Sequence, residues 1–284
     1  KREKLVDKLV DLPEFADVMV RPEKDKPETR RPAAPMTVRD LLRHTSGMPF
    51  ASPAESPTLD GLPLADAVKS YTKMPLHADP GAKYVYANSG INTAGRIIEV
   101  KSGMSFEQFL DRKLFGPLGM TDTTFWPSAA QEKRLAKGYR PGPDKMGLET
   151  LNVAQLRYPL TDRTKRFPMP GGGLFSTASD VGRFCRMVLN GGQLDGKRVL
   201  SAAAVKEMTS RQTPASMKES YGLGWAVGGD GFGHGGAWAT NMWVNPAKGL
   251  VYVWMVQHAG FPGDGAQAQT AFRRAADAKF APNP

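Results

Sequence analysis

The heptapeptide Tyr84-Val85-Tyr86-Ala87-Asn88-Ser89-Gly90 constrains the fold of this chain more than any other stretch. A turn signal at residues 79–81 precedes it, and an apolar run with helical spacing follows and ends at Gly103. The apolar residues of that run are Ile91, Ala94 and Ile98. The pattern predicts a strand-to-helix junction that carries Tyr86 and Asn88. Side chains at such a junction lie at the edge of a cleft, beside the positive end of a helix dipole.

Helix start signals recur along the first two thirds of the chain. Three segments predict capping boxes, in which a Ser or Thr hydroxyl and the side chain three residues later satisfy backbone amides: residues 37–40, 105–108 and 177–180. We expect a helix after each, another over residues 64–71, and Gly116-Pro117 as the end of the second capped helix. Residues 126–170 are predicted to be the least regular part. The glycines at 171–173 predict a turn, since the pattern of a phosphate loop is absent.

From residue 221 onward the sequence pattern becomes strand-like. Four short segments rich in aromatic and β-branched residues are separated by glycines, at residues 221–227, 232–237, 241–245 and 250–257. The sequence Asn245-Pro246-Ala247-Lys248-Gly249 predicts a hairpin turn, and a last helix is expected over residues 266–279. The sequence thus predicts a mainly helical region over residues 1–190 and an antiparallel sheet with a C-terminal helix over residues 191–284.

The net charge of +10 and the isoelectric point of about 9.7 raise the question of nucleic-acid binding. No run of Lys and Arg is interleaved with stacking aromatic residues, so no nucleic-acid partner is expected. Nine basic residues are interpreted as a solvated basic loop, with weak attraction to anionic surfaces or substrates as the alternative: Lys133, Arg134, Lys137, Arg140, Lys145, Arg157, Arg163, Lys165 and Arg166. The histidines His44, His77 and His258 are too scattered for a metal site, and no cofactor is expected.

The single cysteine and the lack of long apolar runs argue against a disulfide-bonded protein and against a membrane-spanning one. Cys185 cannot form an internal disulfide, and its position on a helical face with Phe184 and Val188 predicts a small buried side chain. No apolar run approaches the roughly 18 residues of a membrane helix, so no membrane span is expected. The chain opens with Lys1-Arg2-Glu3-Lys4, which is not a signal peptide but resembles the interior of a longer sequence. Export before processing therefore stays open.

Five sequence blocks, in a familiar order, occur between about residues 12 and 260. Residues 37–49 (TVRDLLRHTSGMP) resemble the TxxxLLxHTSGLP block of the serine β-lactamase-related hydrolases, which include class C β-lactamases, DD-peptidases and family VIII-type esterases. Pro80-Gly81 with Tyr86-Ala87-Asn88 resembles the PG…YxN block of that family. Residues 117–123 (PLGMTDT), 172–180 (GGLFSTASD) and 232–236 (FGHGG) resemble three further blocks. The resemblance implies an α+β fold of the β-lactamase and penicillin-binding-protein type, with an antiparallel sheet flanked by helices plus a helical region.

The resemblance also implies a chemistry, acyl transfer through a serine ester. In that mechanism a Ser from a Ser-x-x-Lys helix attacks a carbonyl carbon while its Lys and the Tyr of the YxN block move protons. Carried over by position, Tyr86 is the general base or acid. Asn88 orients the substrate or the lysine. The expected partner is a small-molecule ester or amide substrate.

The last block implies the opposite wall of the site. His234, Gly235 and Gly236 form that wall, and the backbone amide of Ala237 donates to the oxyanion. Trp238, the next residue, is a candidate for binding the acyl group. A His in place of the permanently charged Lys of β-lactamases weakens recognition of a substrate carboxylate. This favours esters or small amides, with β-lactamase or DD-peptidase activity as the alternative.

The nucleophile of the family has no counterpart at the expected position. Ser-x-x-Lys normally precedes a segment like residues 12–15, and no serine lies upstream of that segment in this sequence. The nucleophile helix and the first strands of the sheet are therefore absent from it. Ser70-Tyr71-Thr72-Lys73 fits the pattern, but it lies shortly before Tyr86 and Pro75 truncates its helix, so we interpret it as a chance match. Ser46 is expected to hydrogen-bond the local backbone.

The missing lysine bears directly on Tyr86. A free phenol has a pKa near 10, and lowering it to near 7 requires about 4 kcal/mol of differential stabilisation. Without the lysine, Tyr86 is expected to stay protonated. The chain alone is therefore predicted to be inactive unless an upstream segment, a cleaved peptide or a partner chain supplies the nucleophile. A non-catalytic binding module that kept the cleft is the second interpretation.

Overall fold

Short helices fill the first two thirds of the chain, and a four-stranded sheet follows near its end. The computed structural model describes residues 5–8, 10–23, 26–260 and 265–281, so the opening residues 1–4, whose sequence predicts no signal peptide, lie outside it. The helices are α1 (Val38–Leu42), α2 (Leu64–Tyr71), α3 (Asn88–Ser102), α4 (Phe106–Leu110), α5 (Gly116–Leu118), α6 (Ala129–Glu132), α7 (Ala178–Leu189), α8 (Ala202–Met208) and α9 (Ala268–Phe280). A π-helical turn, Asp111–Phe115, joins α4 to α5. Turns of 3-10 helix cover Leu5–Asp7, Pro13–Phe15, Pro53–Glu55 and Gly265–Gln267.

All strand pairs in the described ranges are antiparallel. The strands are β1 (Gly138–Pro141), β2 (Leu148–Leu151), β3 (Gln193–Leu194), β4 (Lys197–Arg198), β5 (Ala226–Gly228), β6 (Gly231–Gly235), β7 (Asn241–Asn245) and β8 (Leu250–Trp254). Strands β1 and β2 pair, β3 and β4 pair, and the main sheet has the order β5-β6-β7-β8. Asn245 lies opposite Leu250, which confirms the predicted hairpin turn. The strand predicted over residues 221–227 agrees least with the structure. It begins only at β5, and Tyr221 contributes an isolated bridge to Ala226.

Helix α3 forms as predicted and ends at Gly103, which has φ +66. Its most deeply buried residues, however, are not the predicted apolar stripe. Ile91, Ala94 and Ile98 are only partly buried, whereas the buried positions are Ile97 and five small or polar residues: Ser89, Gly90, Asn92, Thr93 and Gly95. The helical period was therefore predicted correctly and the buried face only in part.

The predicted capping boxes differ in outcome. At α1 the Thr37 hydroxyl accepts from the Asp40 amide (3.2 Å) and the Asp40 carboxylate accepts from the Thr37 amide (3.0 Å), which confirms the first box. The second box is wrong, because Ser105 makes no side-chain cap hydrogen bond. Instead the amide of Phe106 donates to the carboxylate of Glu99 at the end of α3 (3.1 Å). A side chain from the preceding helix thus satisfies a backbone amide at the start of α4.

The third box is half formed. The Thr177 hydroxyl accepts from the Asp180 amide (3.2 Å), as predicted. The Asp180 carboxylate does not return to the helix start but accepts from the Asp122 amide (2.9 Å) and the Thr123 hydroxyl (2.8 Å). Because Asp180 is only 5% exposed, this contact fixes the segment after α5 against α7.

Gly116-Pro117 does not end the helix that precedes it. The π-helical turn carries the chain directly into α5, where Pro117 lies in the first turn and its missing N–H costs little. The helical run ends instead at Gly119, which has φ +64. Glycine adopts this left-handed conformation without the steric cost that other residues meet.

Two hydrophobic clusters form the core. The first lies around α1, α2 and α3, with Leu41, Met48, Val68, Tyr71 and Met169 among its most buried side chains. The second joins α5 and α7 to the main sheet and includes Leu118, Cys185, Met187, Val188, Trp225 and Val244. Cys185 is fully buried, as predicted, and burial raises the pKa of its thiol to about 12. The second cluster draws on both sides of residue 190, and the division of the chain there stays a prediction.

The basic stretch contains a hairpin and a buried ion pair that the sequence did not reveal. Strands β1 and β2 lie within the predicted irregular region. Arg166, interpreted as a solvated residue, is only 2% exposed, which corrects that interpretation. Its Nε lies 2.6 Å from an oxygen of Asp60, itself 2% exposed, and one Nη donates to the carbonyl of Phe125 (2.9 Å). A buried guanidinium is tolerated because these acceptors satisfy it.

Within the described ranges, no helix combines the length and apolarity that crossing a membrane demands.

The Asp60–Arg166 pair should be a main determinant of stability. Asp60→Asn leaves the buried Arg166 guanidinium without a counter-charge, so we expect the free energy of unfolding, measured by urea denaturation, to fall by about 3–5 kcal/mol. The matched control is Asp17→Asn, which breaks the exposed pair of Asp17 with Arg31 (2.9 Å) and should cost less than about 1 kcal/mol. Equal losses in the two variants would contradict the assignment.

Candidate active site

A cleft of about 1450 Å³ is lined by residues from both the helical region and the main sheet. Six of the seven predicted site residues line it: Tyr86, Asn88, His234, Gly235, Gly236 and Ala237. The first two come from the start of α3 and the others from the end of β6 and the turn after it. The fold thus brings together two segments that are far apart in the sequence.

Tyr86 lies in the extended segment just before α3. Its side chain is 42% exposed, and its ring centroid lies 4.3 Å from that of His44 and 6.1 Å from that of His234. Burial raises the pKa of the Tyr86 phenol above its ordinary value. The phenol is therefore protonated at neutral pH, which agrees with the expectation from the sequence.

Asn88 is the first residue of α3 and faces the glycine-rich turn. A Cβ on Gly171 would lie 3.0 Å from the Asn88 Cβ, so this close approach requires glycine. One turn further along α3, Asn92 accepts a hydrogen bond from the Gly171 amide through its Oδ1 (2.8 Å). The predicted turn is therefore also a wall of the cleft.

A buried hydrogen-bond chain fixes that wall from behind, and no sequence pattern predicted it. The Asn92 amide group donates to the Tyr71 hydroxyl (2.8 Å), which donates to Glu55 (2.6 Å). The second oxygen of Glu55 accepts from the Ser52 amide (2.7 Å). Burial raises the pKa of both Glu55 and Tyr71. Because each polar group has a partner, this series of hydrogen bonds holds Gly171 against α3 in an apolar surrounding.

The opposite wall is the end of β6. His234 Nδ1 lies 2.6 Å from the Gly235 carbonyl oxygen. A carbonyl can only accept, so Nδ1 carries the proton and, in the neutral ring, Nε2 remains as an acceptor. This leaves a basic nitrogen at the wall that faces Tyr86.

A tight turn follows β6 and exposes the Ala237 amide. The Gly236 amide donates to the Thr240 carbonyl (2.8 Å), and the Ala239 amide donates to the Gly236 carbonyl (3.0 Å). A Cβ on Gly236 would lie 2.1 Å from the Thr240 hydroxyl, so a larger residue there would force the Thr240 side chain to move. The Ala237 amide has no hydrogen-bond acceptor within the ranges that the structure describes. It is a free donor at the cleft, as an oxyanion site requires.

Trp238 is not one of the side chains that line the cleft. Its indole N–H donates to the Gln155 side chain (2.5 Å), and its ring lies 3.4 Å from the position that a Cβ on Gly138 would take. Trp238 thus supports β1 beside the cleft. Its proposed contact with substrate stays a prediction.

Two residues of the site were missed in the sequence. His44 is 1% exposed, and the Ala87 amide donates to its Nδ1 (3.2 Å). Burial, together with the charge of His234, lowers the pKa of His44 to about 4. The ring of Tyr221 lies 4.9 Å from that of His44 and 6.0 Å from that of His234. His44 lies in a recognised block and was considered only as a metal ligand, whereas nothing in the pattern around Tyr221 singled it out.

The two alternative serines do not belong to the cleft wall. Ser70 lies on α2, where its hydroxyl contacts the Ser52 hydroxyl and the Ala67 carbonyl, each at 2.6 Å. Ser46 is fully buried and accepts from the Met48 amide (3.3 Å), which confirms its predicted local role. In the described part of the chain, no group of three or more His, Cys, Asp or Glu side chains is arranged to hold a metal ion.

The comparisons with known proteins concern the family and the fold. A family model described as Beta-lactamase matches residues 10–277. An uncharacterized protein of Mycobacterium tuberculosis (strain CDC 1551 / Oshkosh) is 30% identical over 256 residues, covering 78% of this chain and 62% of its own length. Penicillin-binding protein 4 of Amycolatopsis lactamdurans is 33% identical over 232 residues, covering 77% of this chain and 58% of its own length. The chain therefore spans about three fifths of these relatives.

A solved structure with the same fold is that of EstCE1, a hydrolase with promiscuous acyltransferase activity. It superposes with a TM-score of 0.72 at 20% identity and covers 94% of this chain and 77% of its own. At that identity the likeness concerns the fold. It supports the α+β architecture with an antiparallel sheet that the sequence predicted.

The titration of Tyr86 tests the electrostatics of the cleft. Because burial raises its pKa, Tyr86 should form phenolate at higher pH than a free phenol does, and no phenolate should be present near neutrality. Ultraviolet difference absorbance between the protein and its Tyr86→Phe variant isolates this titration. Tyr84→Phe is the control, since burial raises the pKa of Tyr84 to about 12. A Tyr86 phenolate that forms below pH 8 would contradict the structure.

Proposed function

Because this chain belongs to the Beta-lactamase family, we propose that its cleft is the catalytic site of a serine hydrolase that cleaves a carboxylic ester or small amide through an acyl-enzyme. The observation that carries the proposal is the convergence of Tyr86 and residues 234–237 on one cleft. A proton-transfer group and a free backbone donor lie on opposite walls. This is the arrangement that acyl transfer needs around the attacked carbonyl.

Each wall has a proposed role. Tyr86 moves the proton between the nucleophile and the leaving group, and the Ala237 amide donates to the oxyanion. The Ala237 amide donates to no acceptor within the described ranges. No existing hydrogen bond therefore has to break when charge develops on the substrate oxygen. Asn88 orients the substrate or the lysine that belongs to the mechanism.

The serine and that lysine are proposed to come from a segment outside these 284 residues. A helix about 10 Å across and ten residues long occupies roughly 1200 Å³, which fits the cleft of about 1450 Å³. Much of its lining is apolar and suits the buried face of a helix: Leu114, Phe115, Val181, Phe184 and Met242. A lysine brought in beside Tyr86 would lower the phenol pKa that burial now raises.

The wall residue His234 favours an uncharged ester or amide over a β-lactam or a peptide C-terminus. An imidazole, unlike the lysine of β-lactamases, carries no permanent charge and therefore attracts a substrate carboxylate less. β-Lactamase or DD-peptidase activity is the alternative within the same chemistry, supported by the likeness to a penicillin-binding protein. A binding module without catalysis is the second alternative, supported by the protonated Tyr86.

Labelling with a fluorinated alkylphosphonate tests the proposal. The 284-residue chain alone should give an intact mass of 30.8 kDa without adduct and no ester hydrolysis. Supplied with a helical peptide that contains Ser-x-x-Lys, it should hydrolyse p-nitrophenyl esters faster than nitrocefin. Tyr86→Phe should lower kcat/KM of that complex by about 10²–10⁴-fold.

The matched control for the chance motif is Ser70→Ala, which should change nothing, since Ser70 lies outside the cleft lining. Labelling of Ser70 in the isolated chain would overturn the assignment of the nucleophile. Faster turnover of nitrocefin than of esters would favour the β-lactamase alternative. Ligand binding that survives Tyr86→Phe, with no turnover in any combination, would favour the binding module.

A further inference from the structure

His44 holds the backbone on both sides of Tyr86. The Val85 amide donates to the His44 carbonyl oxygen (2.8 Å), and the Ala87 amide donates to His44 Nδ1 (3.2 Å). Ala87 is the N-cap residue of α3 and receives no side-chain cap of its own. One residue thus fixes both the entry of the chain into α3 and the peptide units that flank Tyr86.

The conformation of His44 carries a cost that the turn alone does not explain. Its φ is +58, the left-handed region in which glycine is most at ease and most other residues are strained. The imidazole is also 1% exposed, so a polar ring has been removed from water. A strained backbone and a buried polar side chain at one position, beside a candidate site, indicate that the side chain itself is needed.

The imidazole is the centre of an aromatic cluster. Its centroid lies 4.3 Å from that of Tyr86, 4.9 Å from Tyr221 and 5.9 Å from Tyr84. Tyr86 is exposed on its other side, where its nearest ring neighbours, Phe50 and His234, lie beyond 6 Å. The tightest ring contact of Tyr86 is therefore with His44, which forms the floor under the phenol.

That floor is uncharged. Because the Ala87 amide donates to Nδ1, this nitrogen carries no proton, and the neutral ring holds its proton on Nε2. Burial first, and the charge of His234 second, lower the pKa of His44 to about 4. Its contacts with Tyr86 and Ala87 are thus the same throughout the neutral pH range.

We propose that His44 is the positioning residue of the site, which sets the place of the Tyr86 phenol through its ring face and the start of α3 through its Nδ1. This inference rests on the proposed role of Tyr86 in proton transfer. Because His44 is only 1% exposed, it acts on the reaction through Tyr86 and not by contact with substrate.

Two substitutions separate the contributions of His44. His44→Gly suits φ +58 and removes both the ring and the acceptor. His44→Asn tolerates the left-handed region, places an oxygen where Nδ1 was, and removes only the ring. His77→Ala, at an exposed histidine, is the control. Each variant is measured by hydrogen exchange of the Ala87 amide and by the phenol titration assigned to Tyr86.

With glycine, we expect Ala87 exchange to rise roughly tenfold, as the loss of one hydrogen bond implies. The Tyr86 pKa should fall towards 10, since water replaces the ring that buries it. With asparagine, exchange should stay within about twofold of the original protein while the Tyr86 pKa still falls. A His44→Gly protein in which both quantities match the original would overturn the inference.

If the glycine variant does not fold, the asparagine variant decides alone. A lowered Tyr86 pKa with a protected Ala87 amide supports the inference, and an unchanged pKa overturns it. Neither measurement requires turnover. An unchanged pKa of the Tyr86 phenol therefore refutes the role of His44. The absence of a serine adduct in the reconstituted complex refutes the proposed function, so the two failures are distinct.

Discussion

The close packing around α3 is the constraint on which the rest of the cleft depends. A Cβ on Gly95 would lie 2.2 Å from the ring of Pro170, and one on Gly90 would lie 3.3 Å from the Leu41 carbonyl oxygen. Only a helix face without large side chains lets α1 and the turn at Pro170 approach from two sides. Since α3 begins at the junction after Tyr86, both walls of the helical half are fixed relative to that residue.

Polar groups buried in this packing determine which parts of the cleft are rigid. Asn92 holds Gly171 and is itself held by Tyr71, while the amides around Tyr86 are held by His44. The contacts of Asn92 and His44 satisfy backbone donors, and the contact with Tyr71 satisfies the side-chain amide of Asn92. The cleft is therefore pre-formed on its helical side by hydrogen bonds and on its sheet side by the register of β6 with β7.

The parts of the fold that a local pattern determines could be predicted, and the parts that depend on distant contacts could not. The helical period and Gly103 located α3, and the residues 245–249 located the last hairpin, because both depend on neighbours in sequence. Arg166 was placed in solvent because its partner Asp60 is remote in the chain. The same reason explains the missed roles of His44 and Tyr221, whereas the resemblance located Tyr86 and residues 234–237 at one site.

Four rings in and behind the cleft share one electrostatic property, which is the lack of charge near neutral pH. Burial raises the pKa of Tyr84, Tyr86 and Tyr221 and lowers that of His44, so all four rings are neutral near pH 7. In so apolar a surrounding an added cation interacts more strongly with a phenol than it would in water. A lysine placed beside Tyr86 would therefore meet no charge on these four rings. A single positive charge of that kind would lower the phenol pKa that burial now raises.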